Sequence, residues 1–306
     1  MNKLDLKVDL NGLILENPVT VASGTFGFGR EFEPYLDLNE VGAISVKGLT
    51  LEPRQGNEGV RIVETPMGMI NSVGLQNPGV HHFVKNEIPF LRQFNTKIIA
   101  NINGNTTQEY VRMAEILNLE DVDSIELNIS CPNVKNGGLA FGTNPKVVEE
   151  VVKSVRNATS KHLIVKLTPN VTDIKEIAKI VESNGANCIS LINTVTGMAI
   201  DIYQRKPILK RKSGGLSGPA VKPIAIKLVH DVYQAVNIPI LGMGGIMSGE
   251  DAVEFMLAGA DAIAIGTANF VNPTAVIDVK RGIEKYLEYM EIKSVSKLKG
   301  YLNNVE

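Results

Sequence analysis

Short apolar runs alternate with longer amphipathic stretches along almost the whole chain. Eight of the short runs are PVTVAS (18–23), GAISVKG (42–48), KIIANI (97–102), SIELNIS (124–130), LIVKLT (163–168), CISLIN (188–193), PILGMGG (239–245) and AIAIGT (262–267). Their length and β-rich content predict strands. The stretches between them follow a helical period instead. In NPKVVEEVVKSVRNA, residues Val147, Val148, Val151, Val152 and Val155 return every three to four positions, which predicts one apolar helix face. VTDIKEIAKIVESNGA predicts a helix capped by Thr172 and stopped at Gly185, and SGEDAVEFMLAGA has the same grammar. Ahead of them, LDLKVDLNGLIL (4–15) alternates around Asn11-Gly12, two residues that tolerate positive φ, and so predicts a hairpin.

Eight strands alternating with helices in 306 residues predict an α/β TIM barrel, (β/α)8, with an N-terminal hairpin, rather than an open sheet. The segments after strand 2 (49–96) and strand 6 (194–238) are about twice as long as the other connections. Both follow strand ends, on the face where barrel enzymes do their chemistry, so they are candidate lids or specificity loops. One domain over residues 1–306 accounts for the pattern without a second.

Composition narrows the function. A formal net charge of −2 provides no field for nucleic acid or an acidic membrane. Asp5 and Asp9 interrupt the first ten residues, no later stretch is long enough for a membrane span, and a cytoplasmic protein is expected. The two cysteines, Cys131 and Cys188, form no CxxC pair and are too few for an iron–sulfur cluster. None of the four histidines has a metal-ligand spacing, so no metal site is expected; His81 and His82 read as surface residues of a helix.

The candidate chemistry gathers at strand ends. Gly244 and Gly245 follow strand 7, and Gly266 and Thr267 follow strand 8, where loops of this fold recurrently bind phosphate. Glycine lets backbone N–H groups close on an anion; the plainer reading is tight turns alone. Lys47 ends AISVK and Lys166 sits in LIVKL, each needing an anion or electron-rich atoms because a bare buried ammonium is costly. A carboxylate neighbour would also satisfy either lysine. Amides recur beside them: Asn101, Asn128, Asn133 and Asn193, with Asn71 in the strand-2 segment. A ring of carboxamides suits a ligand with alternating C=O and N–H edges, such as a pyrimidine or a flavin. The basic run RKPILKRK (205–212) reads most simply as a solvated loop, with a phosphate clamp or an acidic partner as the alternatives.

NISCPN (128–133) followed by VKNGGLAFGTNP resembles the catalytic loop of class 1 dihydroorotate dehydrogenases. The likeness continues in order through ASGTFG, SVKGLT, NSVGLQNPG, GGLSGPAVKP, GMGGI and AIGTA, over nearly the whole chain. In detail it is similar to class 1B, the NAD-linked type. That class works beside an electron-transfer subunit carrying FAD and [2Fe–2S], in a heterotetramer of two catalytic and two electron-transfer chains. The resemblance implies FMN across the barrel mouth. Its phosphate would lie against Gly244, Gly245, Gly266 and Thr267, with Gly218 nearby, and the rest against Ser23, Lys47, Gly48, Asn101, Asn128, Lys166 and Ile192. It implies dihydroorotate held by Lys47, by Asn71, Ser72, Val73, Gly74 and Leu75, and by Asn128, Asn193 and Thr194, with Asn133 added.

Oxidising dihydroorotate removes a proton from C5 and a hydride from C6. The resemblance makes Cys131 the base, on a loop turned by Pro132, which cannot continue a strand ladder. Lys166 is the candidate for stabilising negative charge on the reduced flavin. Four other readings compete. A fumarate-dependent class 1A enzyme shares the chemistry without the partner. A tRNA-dihydrouridine synthase needs a basic surface and carries glycine where this chain has Ser130. A non-redox phosphate-sugar lyase or isomerase would be colourless, and a non-catalytic scaffold leaves the convergent polar groups without purpose.

Overall fold

The computed structural model describes residues 4–130 and 141–304. Eight strands form a closed, all-parallel barrel: β1 (Val19–Val21), β2 (Ala43–Ser45), β3 (Lys97–Ile102), β4 (Ser124–Asn128), β5 (His162–Lys166), β6 (Cys188–Leu191), β7 (Ile240–Met243) and β8 (Ala262–Ile265). Each pairs with its neighbours in sequence, and β8 closes on β1 through Ile265 opposite Val21. Every strand coincides with one of the eight apolar runs, β5 starting one residue earlier at His162. Strands covered on both faces read as continuous Val and Ile runs, which is why they are legible here.

The outer layer holds the helices Thr107–Asn118, Pro145–Ala158, Ile174–Ser183, Lys222–Tyr233, Gly249–Leu257 and Ala275–Tyr289. Val148, Val151, Val152 and Val155 are fully buried along one face of Pro145–Ala158. Ser248 and Asp251 cap Gly249–Leu257 reciprocally, satisfying N–H groups that the first turn leaves bare. Ile174–Ser183 corrects an expected detail: Asp173, not Thr172, is the cap, its carboxylate accepting from Lys175 N at 2.9 Å. Either residue type can cap; backbone extension at Asp173, where φ is −134°, decides it. The β1–β2 connection departs from strict alternation, with turns and the 3-10 helix Leu38–Glu40 in the helix's place.

The two long segments do more than extend loops. Ile62–Thr65, Gly68–Asn71, Gly214–Ser217 and Val195–Gly197 make one antiparallel sheet, in that order, with Asn71 opposite Gly215. The segments after β2 and β6 are therefore tied to each other over the barrel mouth.

At the other end the predicted hairpin pairs Val8–Asp9 with Ile14–Leu15, and Asn11 and Gly12 take positive φ at its turn. Leu10, Leu13 and Leu15 are buried, and Leu10 O accepts from His162 Nε2 at 2.6 Å. Ser124 Oγ lies 2.9 Å from His162 Nδ1. Burial pushes the His162 imidazole below its ordinary pKa; the Leu10 carbonyl and Asp9 oppose this, and Arg156 adds to it. A histidine depressed in the folded state binds protons more readily when unfolded, so its contribution is complete above about pH 6.5 and is lost as the pH falls further. Asp123 and Asp251 are held below the carboxylate range despite burial, Asp123 by Ile98 N–H and Arg92 and Asp251 by Lys222. Their contributions disappear only at more acidic pH. The melting temperature is therefore expected to drop between pH 7 and 5, and His162→Gln to flatten that drop. An equally steep drop in the variant would show that other groups cause it.

Among the described residues no helix is long and apolar enough to cross a membrane, and no cluster of His, Cys, Asp or Glu has metal-binding geometry.

Candidate active site

The C-terminal ends of the barrel strands and the four-stranded sheet enclose a cavity of about 490 Å³. Every described residue that the sequence marked as a cofactor or substrate contact lines it. Cys131 and Asn133 lie outside the described residues. Ser130, the residue before Cys131, lines the cavity.

One side of the cavity is backbone. Gly244 and Gly245 take φ of 127° and 83°, a region that favours glycine. A Cβ on Gly245 would sit 2.8 Å from Lys222 N and 2.9 Å from Gly218 O. One on Gly218 would sit 2.7 Å from the Gly68 Cα. Absent side chains thus let three segments converge around Gly218 and Gly245. The N–H groups of Gly245, Gly266 and Thr267 find no acceptor among the described residues. Thr267 Oγ1 donates to Ser217 Oγ at 2.8 Å, tying the end of β8 to the sheet. A concave set of free N–H groups is the chemistry that a phosphate needs.

Two cations face the cavity from the barrel. Lys166, at the end of β5, is only 4% exposed, yet its ammonium has no ion pair or hydrogen bond to any described residue. Lys47, beyond β2, is likewise unpaired among the described residues, and burial pushes its amine below the ordinary lysine range. Among the described residues, neither lysine has the carboxylate neighbour that would have made it structural. A buried ammonium left without a partner costs several kcal/mol, so the cavity is built for an anionic or electron-rich occupant.

The amides are held in fixed directions. Ser130 Oγ donates to Asn128 Oδ1 and accepts from Asn193 Nδ2, which joins the ends of β4 and β6. Asn128 is held from behind as well, its carbonyl accepting from the buried Tyr110 hydroxyl at 2.8 Å. Asn193 Oδ1 accepts from Thr194 N at 2.8 Å, and Asn71 Nδ2 donates to Gly215 O at 3.3 Å. Asn77 steadies the turn after Asn71: it donates to Leu75 O at 2.6 Å and accepts from Thr50 N and Gly79 N. Within that turn Gly74 and Leu75 have positive φ, and the N–H groups of Val73, Gly74 and Leu75 find no acceptor among the described residues. Such a turn is a second anion-binding concavity, with the shape and charge for a carboxylate.

Several cavity residues escaped the sequence reading. Asn103 and Asn170 line it, and Asn170 bonds to Thr194 O and Thr196 N. Asparagine is too common in turns for the sequence alone to single these two out. Glu126, beneath the cavity, did leave a signal as the one charge in SIELNIS, two residues before Asn128 on the same face.

Other candidates fall away from the site. Cys188 is fully buried at the start of β6, where burial, aided by Asp261 and Glu126, pushes its thiol well up. An unreactive packing cysteine is the result. His81 and His82 are exposed on a helical segment after the strand-2 insertion, as expected. The run 205–212 is mostly exposed; Lys210 pairs with Glu58 of the other insertion at 2.6 Å, while Arg211 lines the cavity.

Comparison with known proteins agrees with this geometry. The family model described as dihydroorotate dehydrogenase matches residues 5–287. The catalytic subunit of dihydroorotate dehydrogenase B (NAD(+)) from Alkaliphilus metalliredigens is 58% identical over 302 residues, covering 99% of this chain and all of the relative. Proteins of the same name from Caldicellulosiruptor bescii and Geotalea uraniireducens are 56% and 54% identical, covering 98% and 99% of this chain and 100% and 99% of theirs.

Proposed function

The chain belongs to the dihydroorotate dehydrogenase family, whose members oxidise dihydroorotate to orotate in pyrimidine biosynthesis, and from that premise we propose that it is an FMN-carrying, NAD-linked catalytic subunit. The observation that carries this reading is the pair of unpaired cations, Lys47 and Lys166, beside a backbone cradle for phosphate. The cavity fits FMN in kind: a phosphate on Gly244, Gly245, Gly266 and Thr267 near Gly218, and a ring system against Ser23, Lys47, Gly48, Asn101, Asn128, Lys166 and Ile192. One barrel domain over residues 1–306 holds it.

Bound FMN supplies the acceptor for the hydride that leaves C6 of dihydroorotate. The protein's own groups do the rest. The N–H groups of Val73, Gly74 and Leu75 and the Lys47 ammonium hold the substrate carboxylate, with Ser72 beside them. Asn71, Asn128, Asn193 and Thr194 pair with the ring edge, and Asn133 joins them from the loop. The Cys131 thiolate, at Sγ, takes the C5 proton. Lys166 keeps a positive charge where electron density accumulates.

The names of the relatives support a separate electron-transfer subunit. In this reading it carries FAD and [2Fe–2S], passes electrons to NAD and assembles with the catalytic chain as a two-by-two heterotetramer in the cytoplasm. The chain's two cysteines are too few to hold such a cluster itself.

The test is to purify the chain alone without oxygen and add dihydroorotate while recording visible absorption. A yellow protein that bleaches at once is expected. Addition of fumarate should not restore the colour, whereas NAD with the partner subunit should. A yellow protein that does not bleach would move the substrate elsewhere, and a colourless one that takes up no FMN would overturn the flavin.

A further inference from the structure

Below the cavity, inside the barrel, lies a carboxylate with no cation beside it. Glu126 of β4 is 1% exposed, and no Lys, Arg or His among the described residues comes within ion-pair distance. Its Oε2 accepts from Ser45 Oγ of β2 at 2.8 Å and from Asn101 Nδ2 of β3 at 2.6 Å. Its Oε1 accepts from Ser190 Oγ of β6 at 2.6 Å. Barrel interiors are usually filled by Val, Ile and Leu, and a well-packed hydrophobe is commonly as stabilising as a buried charge. Stability alone gives no reason for a carboxylate here.

Its contacts give one. Of the three donors only Asn101 lines the cavity. Carboxylate oxygens accept and cannot donate, so Asn101 has to turn Nδ2 toward Glu126 and Oδ1 away from it. Asn101 Oδ1 accepts from Asn103 Nδ2 at 2.7 Å, and Asn103 Oδ1 is buried without a partner among the described residues. The chain Asn103 to Asn101 to Glu126 therefore runs with a single polarity. It ends at the wall behind Gly48, where an added Cβ would meet Asn103 Nδ2 at 2.6 Å and Asn101 Oδ1 at 3.1 Å. With a neutral amide in place of the carboxylate, Asn101 and Asn103 could each point either way.

We propose that Glu126 is a positioning residue whose carboxylate sets the direction of the Asn101 and Asn103 carboxamides and so fixes the hydrogen-bond pattern that the cavity wall offers to the flavin. This rests on the FMN reading. Glu126 touches neither cofactor nor substrate; it acts through Asn101.

The experiment measures FMN dissociation constants by fluorescence for the wild type, Glu126→Gln, Asn101→Ala and the double variant, alongside the melting temperature of each flavin-free protein. Glu126→Gln should melt no lower than the wild type and bind FMN at least tenfold more weakly. In the Asn101→Ala background the same change should add no further loss, because the route through which it acts is gone. Wild-type affinity in Glu126→Gln, or losses that simply add, would overturn the proposal. Should Glu126→Gln fail to fold, Glu126→Asp keeps the charge but withdraws it by one methylene from Asn101. A tenfold loss is again expected, and unchanged binding again overturns the proposal. A wild type that takes up no FMN would instead remove the flavin reading on which all of this stands.

Discussion

Cys131→Ala should keep FMN and lose proton abstraction: bleaching by dihydroorotate should slow about 10²–10⁴-fold, the usual worth of a positioned general base. The wild type should show the matching pH signature. A free thiol has a pKa of about 8.5 and is only a few per cent thiolate at pH 7, so turnover should rise with pH until the thiol has ionised. A flat profile through neutral pH would point to another base or another slow step. Cys188→Ala is the control. That thiol is buried at the far end of β6, so its removal should change neither the rate nor the profile. If Cys131→Ala loses its flavin instead, the cysteine is structural and the assignment of the base is wrong.

Lys166→Met should separate stability from catalysis. Removing a preorganised charge from beside the reacting centre typically costs about 10²–10³-fold in rate, and bleaching should slow by that amount. The flavin-free variant should meanwhile melt at or above the wild-type temperature, because Lys166 is 4% exposed and has no partner among the described residues. A methionine of similar length fills the space without an ammonium to desolvate. The two signs together, slower yet no less stable, distinguish a functional lysine from a packing one. A variant that bleaches at the wild-type rate would show that the charge is not used in the reaction.

Lys166 and Glu126 show how much of the site is legible in the sequence. Lys166 was visible because a cation inside LIVKL breaks an otherwise apolar strand. Glu126 breaks SIELNIS in the same way, but its use depends on Ser45, Asn101 and Ser190 arriving from three other strands. Ser130 was seen only as the residue before the cysteine. That it bridges Asn128 and Asn193 follows from the meeting of β4 and β6 ends, which are more than sixty residues apart in the chain. The helix cap moved by one residue, from Thr172 to Asp173, because threonine and aspartate cap equally well and backbone extension chose between them.

By itself the sequence determined the local periods: eight Val- and Ile-rich strands, the helices between them, the Asn11-Gly12 hairpin, and the glycines and lysines at strand ends. Those features depend on neighbours a few residues away, through side-chain alternation and backbone freedom, so a linear pattern carries them. The shared sheet built from residues 62–71 and 195–217 and the polarity of the Asn103–Asn101–Glu126 chain were decided only in three dimensions. Each depends on hydrogen bonds between groups distant in sequence, and the direction of such a bond is set by what lies opposite once the strands have closed.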